Sequence, residues 1–247
     1  MPREGTMASV EVFFATNRNR LPDKNGIADF GDLAIPDVKG IAFGTATVDN
    51  VNLDDPGTGR ITKARVLSFG DISPELAGMI LAEPERDIVV FVHGAANAFA
   101  DALQRAAFNQ NWVSEVPGRG VVFVVFSWPA TSYDLVNLLR DLVDYRRDQS
   151  EARASDLHFV EFLRALHRFR GAIGGRRLAL LAHSMGNYAL GFGVERWFSA
   201  SHDASILFDH VILAAADEAL RHVRDAEWGT AVGPLGAHEA DYRLFES

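Results

Sequence analysis

The sequence predicts an α/β fold built on a mostly parallel sheet, and three observations carry that prediction. Four late runs are almost continuously apolar: "DIVVFVHG" from Asp87, "GVVFVVFSW" from Gly120, "RRLALLAHS" from Arg176 and "DHVILAAAD" from Asp209. Strands covered on both faces read this way, whereas a strand with one wet face alternates. Helical patterns lie between these runs: "AFADALQRAAFNQNWVSEV" from Ala98, "DLHFVEFLRALHRF" from Asp156 and "YALGFGVERWF" from Tyr188. Strands alternating with helices of this length make right-handed βαβ crossovers. Three earlier runs, "VEVFFAT" from Val10, "IAFGTATV" from Ile41 and "ARVLSF" from Ala64, are instead separated by the turn-rich "DKNGIADFGD" and "NLDDPGTGR". With no helix between them, they are expected as antiparallel strands at the edge of the same sheet. No repeat or linker divides the chain, so residues 1–247 are expected to form a single domain.

Composition narrows the function classes. The chain has 247 residues, of which 48% are hydrophobic and 23% charged, and it carries a formal net charge of −9. That charge argues against nucleic acid, because phosphate binding needs a basic face. There are no cysteines. Disulfides, thiolate nucleophiles and cysteine zinc sites are therefore excluded, which fits a reducing compartment. The start "MPREGTMASVEVFF" holds no apolar run of signal-peptide length, and no segment reaches the ~20 apolar residues a membrane helix needs. A cytoplasmic protein without a membrane span is the expectation.

The strand "RRLALLAHS" runs directly into a helix at "LALLAHSMGNYALGF", Leu178 to Phe192. A serine on so sharp a strand-to-helix turn projects its Oγ from the carboxyl end of the sheet, and the residues two before and two after must be small. Here they are Ala182 and Gly186 around Ser184. The following helix turns its free N–H groups and dipole toward the site, which favours negative charge there. Ser184 is thus the candidate nucleophile, and the plain alternative is a serine at an ordinary strand end.

An acyl-transfer site also needs donors for the oxyanion, one after the nucleophile and one from the loop after an earlier strand. "VVFVHGAANAF" supplies that loop, with Gly94 allowing close approach, so the N–H groups of Ala95 and Met185 are the expected donors. His93 is expected to brace the loop and His183 to pack within the elbow. In "VVFSWPATSYD", Trp128 ends a strand beside the site, either as a wall of the substrate pocket or as an aromatic cap on the sheet.

These residues resemble the α/β-hydrolases, and more narrowly a mainly bacterial, largely uncharacterised family among them. The resemblance rests on "FFATNR" (Ala15 to Arg18), "HGAANAF" (His93 to Phe99), "FSWP" (Phe126 to Pro129), a Y-x-x-D-x-x-x-A-x-x-S pattern entering a helix (Tyr145, Asp148, Ala152, Ser155) and "HSMGN". Together they span about Val10 to Glu218. The resemblance implies a Ser-Asp-His hydrolase acting on esters or a related acyl bond of a small molecule. It also implies two further strands after "DHVILAAAD", with the acid following the first and the histidine following the last. From Ala219 onward, "ALRHVRDAEWGTAVGPLGAHEADYRLFES" offers no apolar strand run, so the C-terminal strands are expected to be missing or altered.

A serine needs a histidine base oriented by a carboxylate, here in the order Ser, acid, His. Asp217 is the candidate acid, with a helix N-cap as the competing role. His238 is the first candidate base and His222 the second, and a chain with no base at all stays open. His210 begins a strand at the far end from the site. The histidines show no H-x-x-x-H or H-E-x-x-H spacing, and no G-x-x-x-x-G-K-[ST] occurs, so neither a metal nor a nucleotide cofactor is expected. The expected activity is that of a serine hydrolase; the rival is an inactive or C-terminally incomplete hydrolase fold that binds.

Overall fold

A computed structural model describes residues 8–53, 58–116, 120–131, 138–201 and 207–215. Its main sheet has seven strands in the order β5-β4-β1-β7-β6-β8-β9. The four apolar runs become β6 (Asp87–Val92), β7 (Val121–Ser127), β8 (Leu178–His183) and β9 (His210–Ala214). These strands are parallel, and β1 (Ala8–Thr16) joins them parallel to β7. On its other side β1 pairs antiparallel with β4 (Ala42–Val51), which pairs antiparallel with β5 (Arg60–Phe69). The mostly parallel sheet with an antiparallel N-terminal edge is as the sequence predicts, and with its flanking helices it is an α/β-hydrolase fold.

Side-chain alternation divides β7 between two layers. Val121, Phe123 and Val125 face one cluster with Phe99, Ala102, Leu103, Ala106 and Ala107 of α2 (Phe99–Ser114). Val122, Val124 and Phe126 face the other, against α4 (Asp156–Arg170) and α5 (Met185–Ser201). Every residue of β7 is buried, which is why its run carries no polar alternation. Phe126 lies 5.0 Å from the Phe159 ring and 4.8 Å from that of Phe162, centroid to centroid.

Three local features depart from expectation. The stretch containing "DKNGIADFGD" forms a separate hairpin, β2 (Arg18–Lys24) with β3 (Ile27–Ala34). Asn25 (φ 55°) and Gly26 (φ 77°) both take left-handed backbone at its tip, as a tight hairpin turn requires. β9 is not covered on both faces: Ile212 and Leu213 are exposed, and among the described residues β9 ends the sheet beside β8. The helices α1 (Pro74–Ile80) and α3 (Leu138–Ala154) complete the layers, and Tyr145 and Asp148 lie within α3 rather than at its start.

The registers place the carboxyl ends of the strands in one row. Thr16 pairs with Ser127, Val92 with both Phe126 and Ala182, and His183 with Ala214. The loops leaving β6, β7 and β8 therefore emerge side by side. Phe126→Ala is expected to lower unfolding free energy by about 3–5 kcal/mol through lost burial and a cavity between β7 and α4. A shifted urea midpoint at unchanged slope would show it.

Candidate active site

Ser184 sits at the turn between β8 and α5 with φ 52°. A non-glycine residue there is strained by about 1–3 kcal/mol and persists only where its surroundings fix it. They do so on three sides. The Ser184 N–H donates to the Ala214 carbonyl at 2.9 Å, at the end of β9. The buried Asn187 Nδ2 donates to the Ser184 carbonyl at 2.9 Å and to the Ala214 carbonyl at 3.3 Å. Gly186 lies so near β6 that a Cβ would stand 2.5 Å from the Val92 carbonyl oxygen. The small residue expected at that position is thus required by the close passage of α5 over β6.

The loop after β6 lies directly against the serine. A Cβ on Gly94 would be 2.9 Å from Ser184 Cβ and 3.0 Å from the His183 carbonyl oxygen. The Gly94 carbonyl lies 2.8 Å from His93 Nδ1 and accepts from Asn97 Nδ2 at 3.3 Å. Asn97 Nδ2 also donates to the Ala95 carbonyl at 2.6 Å. In a trans peptide the C=O and the next N–H point opposite ways. Drawing the Gly94 oxygen inward onto two buried side chains therefore turns the Ala95 N–H outward. Among the described residues neither the Ala95 nor the Met185 N–H has an acceptor. The structure thus brings Ser184, Gly94, Ala95 and Met185 together.

His93 is completely buried and stacks on Trp128 at 5.2 Å and 7°. Trp128 Nε1 donates to the His93 carbonyl at 2.8 Å. Burial, with the Arg18 and Arg105 charges adding to it, pushes the His93 imidazole down to about 3. The ring is neutral, its Nδ1–H donating to the Gly94 carbonyl, so it braces the loop as expected. Trp128 requires a correction. The indole has no exposed surface and backs His93, so it supports the loop instead of lining a pocket. His183 is exposed rather than packed within the elbow, since it ends β8 on the open side. Partial desolvation of its ring against the loop, and then the charge of Arg105, hold it below the usual histidine range.

Beneath both loops lies a polar network that the sequence reading did not assemble, although its residues stand in the quoted motifs. Arg18 is buried and donates from Nε to Ser127 Oγ (2.9 Å), from Nη1 to the carbonyls of Ala130 (2.9 Å) and Gly31 (3.1 Å), and from Nη2 to the Asn97 carbonyl (2.7 Å). Burial lowers its pKa to about 9, so it remains a cation at neutral pH. Asp148, also buried, accepts from the Ala96 N–H through Oδ2 and from the Thr131 N–H through Oδ1, both at 3.0 Å. Ala96 is itself left-handed, at φ 57°. Asn17 Nδ2 donates to Ser155 Oγ at 2.9 Å.

Asp217, His222 and His238, the candidate acid and bases, lie outside the described residues. His210 begins β9, at the end opposite Ser184, as expected. Among the described residues no group of His, Asp and Glu is placed to hold a metal ion, and no helix is long and apolar enough to cross a membrane.

Residues 71–247 match the family described as "Alpha/beta hydrolase of unknown function (DUF900)". The chain belongs to that family. The match begins beyond β5 and takes in the loop of His93, the strand end at Trp128, Asp148 and the Ser184 elbow, whereas Arg18 precedes it. No curated protein and no solved structure is significantly similar to the chain.

Two outcomes test this network. Asp148→Asn replaces one acceptor with an amide donor facing a backbone N–H. It is expected to destabilise by about 1.5–3 kcal/mol in urea unfolding. Histidine 93 gives a pH dependence with a definite sign. Its pKa is about 3 folded against an ordinary 6.5, so the unfolded chain holds the extra proton between those values. Stability from this group is full above the ordinary value and falls on acidification, by at most about 1.4 kcal/mol per pH unit. Urea midpoints at about pH 7 and about pH 5 should differ less in His93→Phe than in the parent protein.

Proposed function

We propose that the chain is a serine hydrolase that cleaves an ester or related acyl bond of a small molecule. The supporting observation is the strained Ser184 at the end of β8 with the Gly94–Ala95 backbone packed against it. Ser184 Oγ attacks the carbonyl carbon while a base takes its proton. The negative oxygen accepts from the Ala95 and Met185 N–H groups, the second at the positive end of α5. Collapse expels the alcohol, which receives the proton, and water then releases the acid by the same steps. Ala95 is partly exposed, whereas Met185 is buried.

The buried, neutral His93 spends its Nδ1–H on a carbonyl and His210 is at the wrong end of the sheet, so neither serves as the base. We assign the base to His238, with His222 as its competitor, and the orienting acid to Asp217. The chemistry needs no cofactor. A cytoplasmic setting fits a chain without cysteine.

Intact mass after treatment with a fluorophosphonate tests the reading. One adduct is expected, absent in Ser184→Ala. Of His238→Ala and His222→Ala, the variant that removes the base should slow labelling by about a hundredfold or more. No adduct on a folded protein would discard the serine hydrolase and leave a hydrolase fold that binds.

A further inference from the structure

Arg105 of α2 is an exposed cation hydrogen-bonded to the loop packed against Ser184. Its Nε donates to Asn97 Oδ1 at 2.8 Å, and the same Asn97 amide holds the Gly94 and Ala95 carbonyls through Nδ2. The guanidinium is thus one side chain away from the peptide packed on the serine. Asp101, one turn earlier on α2, is occupied by the Ala98 N–H at 2.8 Å and forms no ion pair with Arg105. Nη1 and Nη2 have no protein acceptor among the described residues.

The charges that act on the two imidazoles beside the serine are cationic. His183, adjacent to the serine, feels the charge of Arg105, and His93 feels those of Arg18 and Arg105. No described carboxylate acts on either ring. Asp148, the acid in the loop network, has both oxygens engaged by backbone N–H groups. Arg18 is buried with its donors satisfied, whereas Arg105 is exposed and its Nη atoms are uncommitted among the described residues.

We propose that Arg105 binds a carboxylate on the acyl side of the substrate, so that the preferred substrates are monoesters of short dicarboxylic acids. This rests on the assignment of Ser184 as nucleophile. The planar Nη1–Nη2 edge matches the two oxygens of a carboxylate, and Asn97 fixes the fork by its Nε. Arg105 acts on binding and takes no proton.

The test compares monomethyl succinate, glutarate and adipate with methyl butanoate, pentanoate and hexanoate, which differ by a carboxylate in place of a methyl group. For at least one chain length, kcat/KM should favour the charged ester by about tenfold. Arg105→Gln should abolish that ratio, Arg105→Lys should restore part of it, and high salt should reduce it in the parent protein. A parent that prefers the neutral ester at every length, or a ratio unmoved in Arg105→Gln, overturns the proposal. Calorimetric binding of the same esters to Ser184→Ala separates this from the nucleophile. A charged-ester preference there, lost in Ser184→Ala/Arg105→Gln, upholds the carboxylate site even where no ester is turned over. Equal binding of both series rejects it even where Ser184 takes the fluorophosphonate.

Discussion

One buried guanidinium, that of Arg18, underlies the arrangement of the sheet end that carries the candidate site. It joins the end of β7, the loop after β6 and the β2–β3 hairpin by four hydrogen bonds. A cation withdrawn from water is tolerated only when its donors are satisfied and an opposite charge is near. Ser127 Oγ and three carbonyls meet the first condition, and Asp148 supplies the second as the largest favourable charge acting on Arg18. Asp148 in turn fixes the N–H groups of Ala96 and Thr131, one in each loop. The network is therefore a single constraint with several outputs, and both loops take their positions from it.

The second constraint is steric. Ser184 takes a backbone conformation that few side-chain-bearing residues adopt, and the elements around it leave no alternative. Ala214 holds its N–H and Asn187 its carbonyl, while Gly186 and Gly94 admit backbone where a methyl group would collide. The elbow thus depends on β9 as well as on β8 and α5. That dependence connects β9, the last strand of the sheet among the described residues, to the candidate site, since Ala214 is its last residue.

The fold was largely legible because burial leaves a periodic trace. The unbroken apolar run of β7 reports two covered faces, and the helical spacing from Asp156 reports α4. The β2–β3 hairpin was not read, although Asn25-Gly26 is a strong turn signal. Its flanking residues, Arg18 to Lys24, are mostly polar and exposed, so no alternation marks them as a strand. The exposure of Ile212 and Leu213 in β9 was hidden for the opposite reason: its run is as apolar as those of central strands, and composition does not say which faces are covered.

At the site, the sequence by itself determined the residues whose role is local. Ala182, Ser184, Met185 and Gly186 are neighbours in the chain, and the strand-to-helix turn follows from their order and size. His93 and Gly94 are equally local to the end of β6. The tertiary structure decided what lies behind them. Arg18 finds Ser127 109 residues away and the Ala130 carbonyl 112 away, and Asp148 reaches Ala96 52 residues back. Such contacts follow from strand order and register, which bring distant chain segments to one row of strand ends. They leave no spacing in the sequence to read. Trp128 shows the same limit: its position at a strand end was plain, but only packing against His93 placed it behind the site.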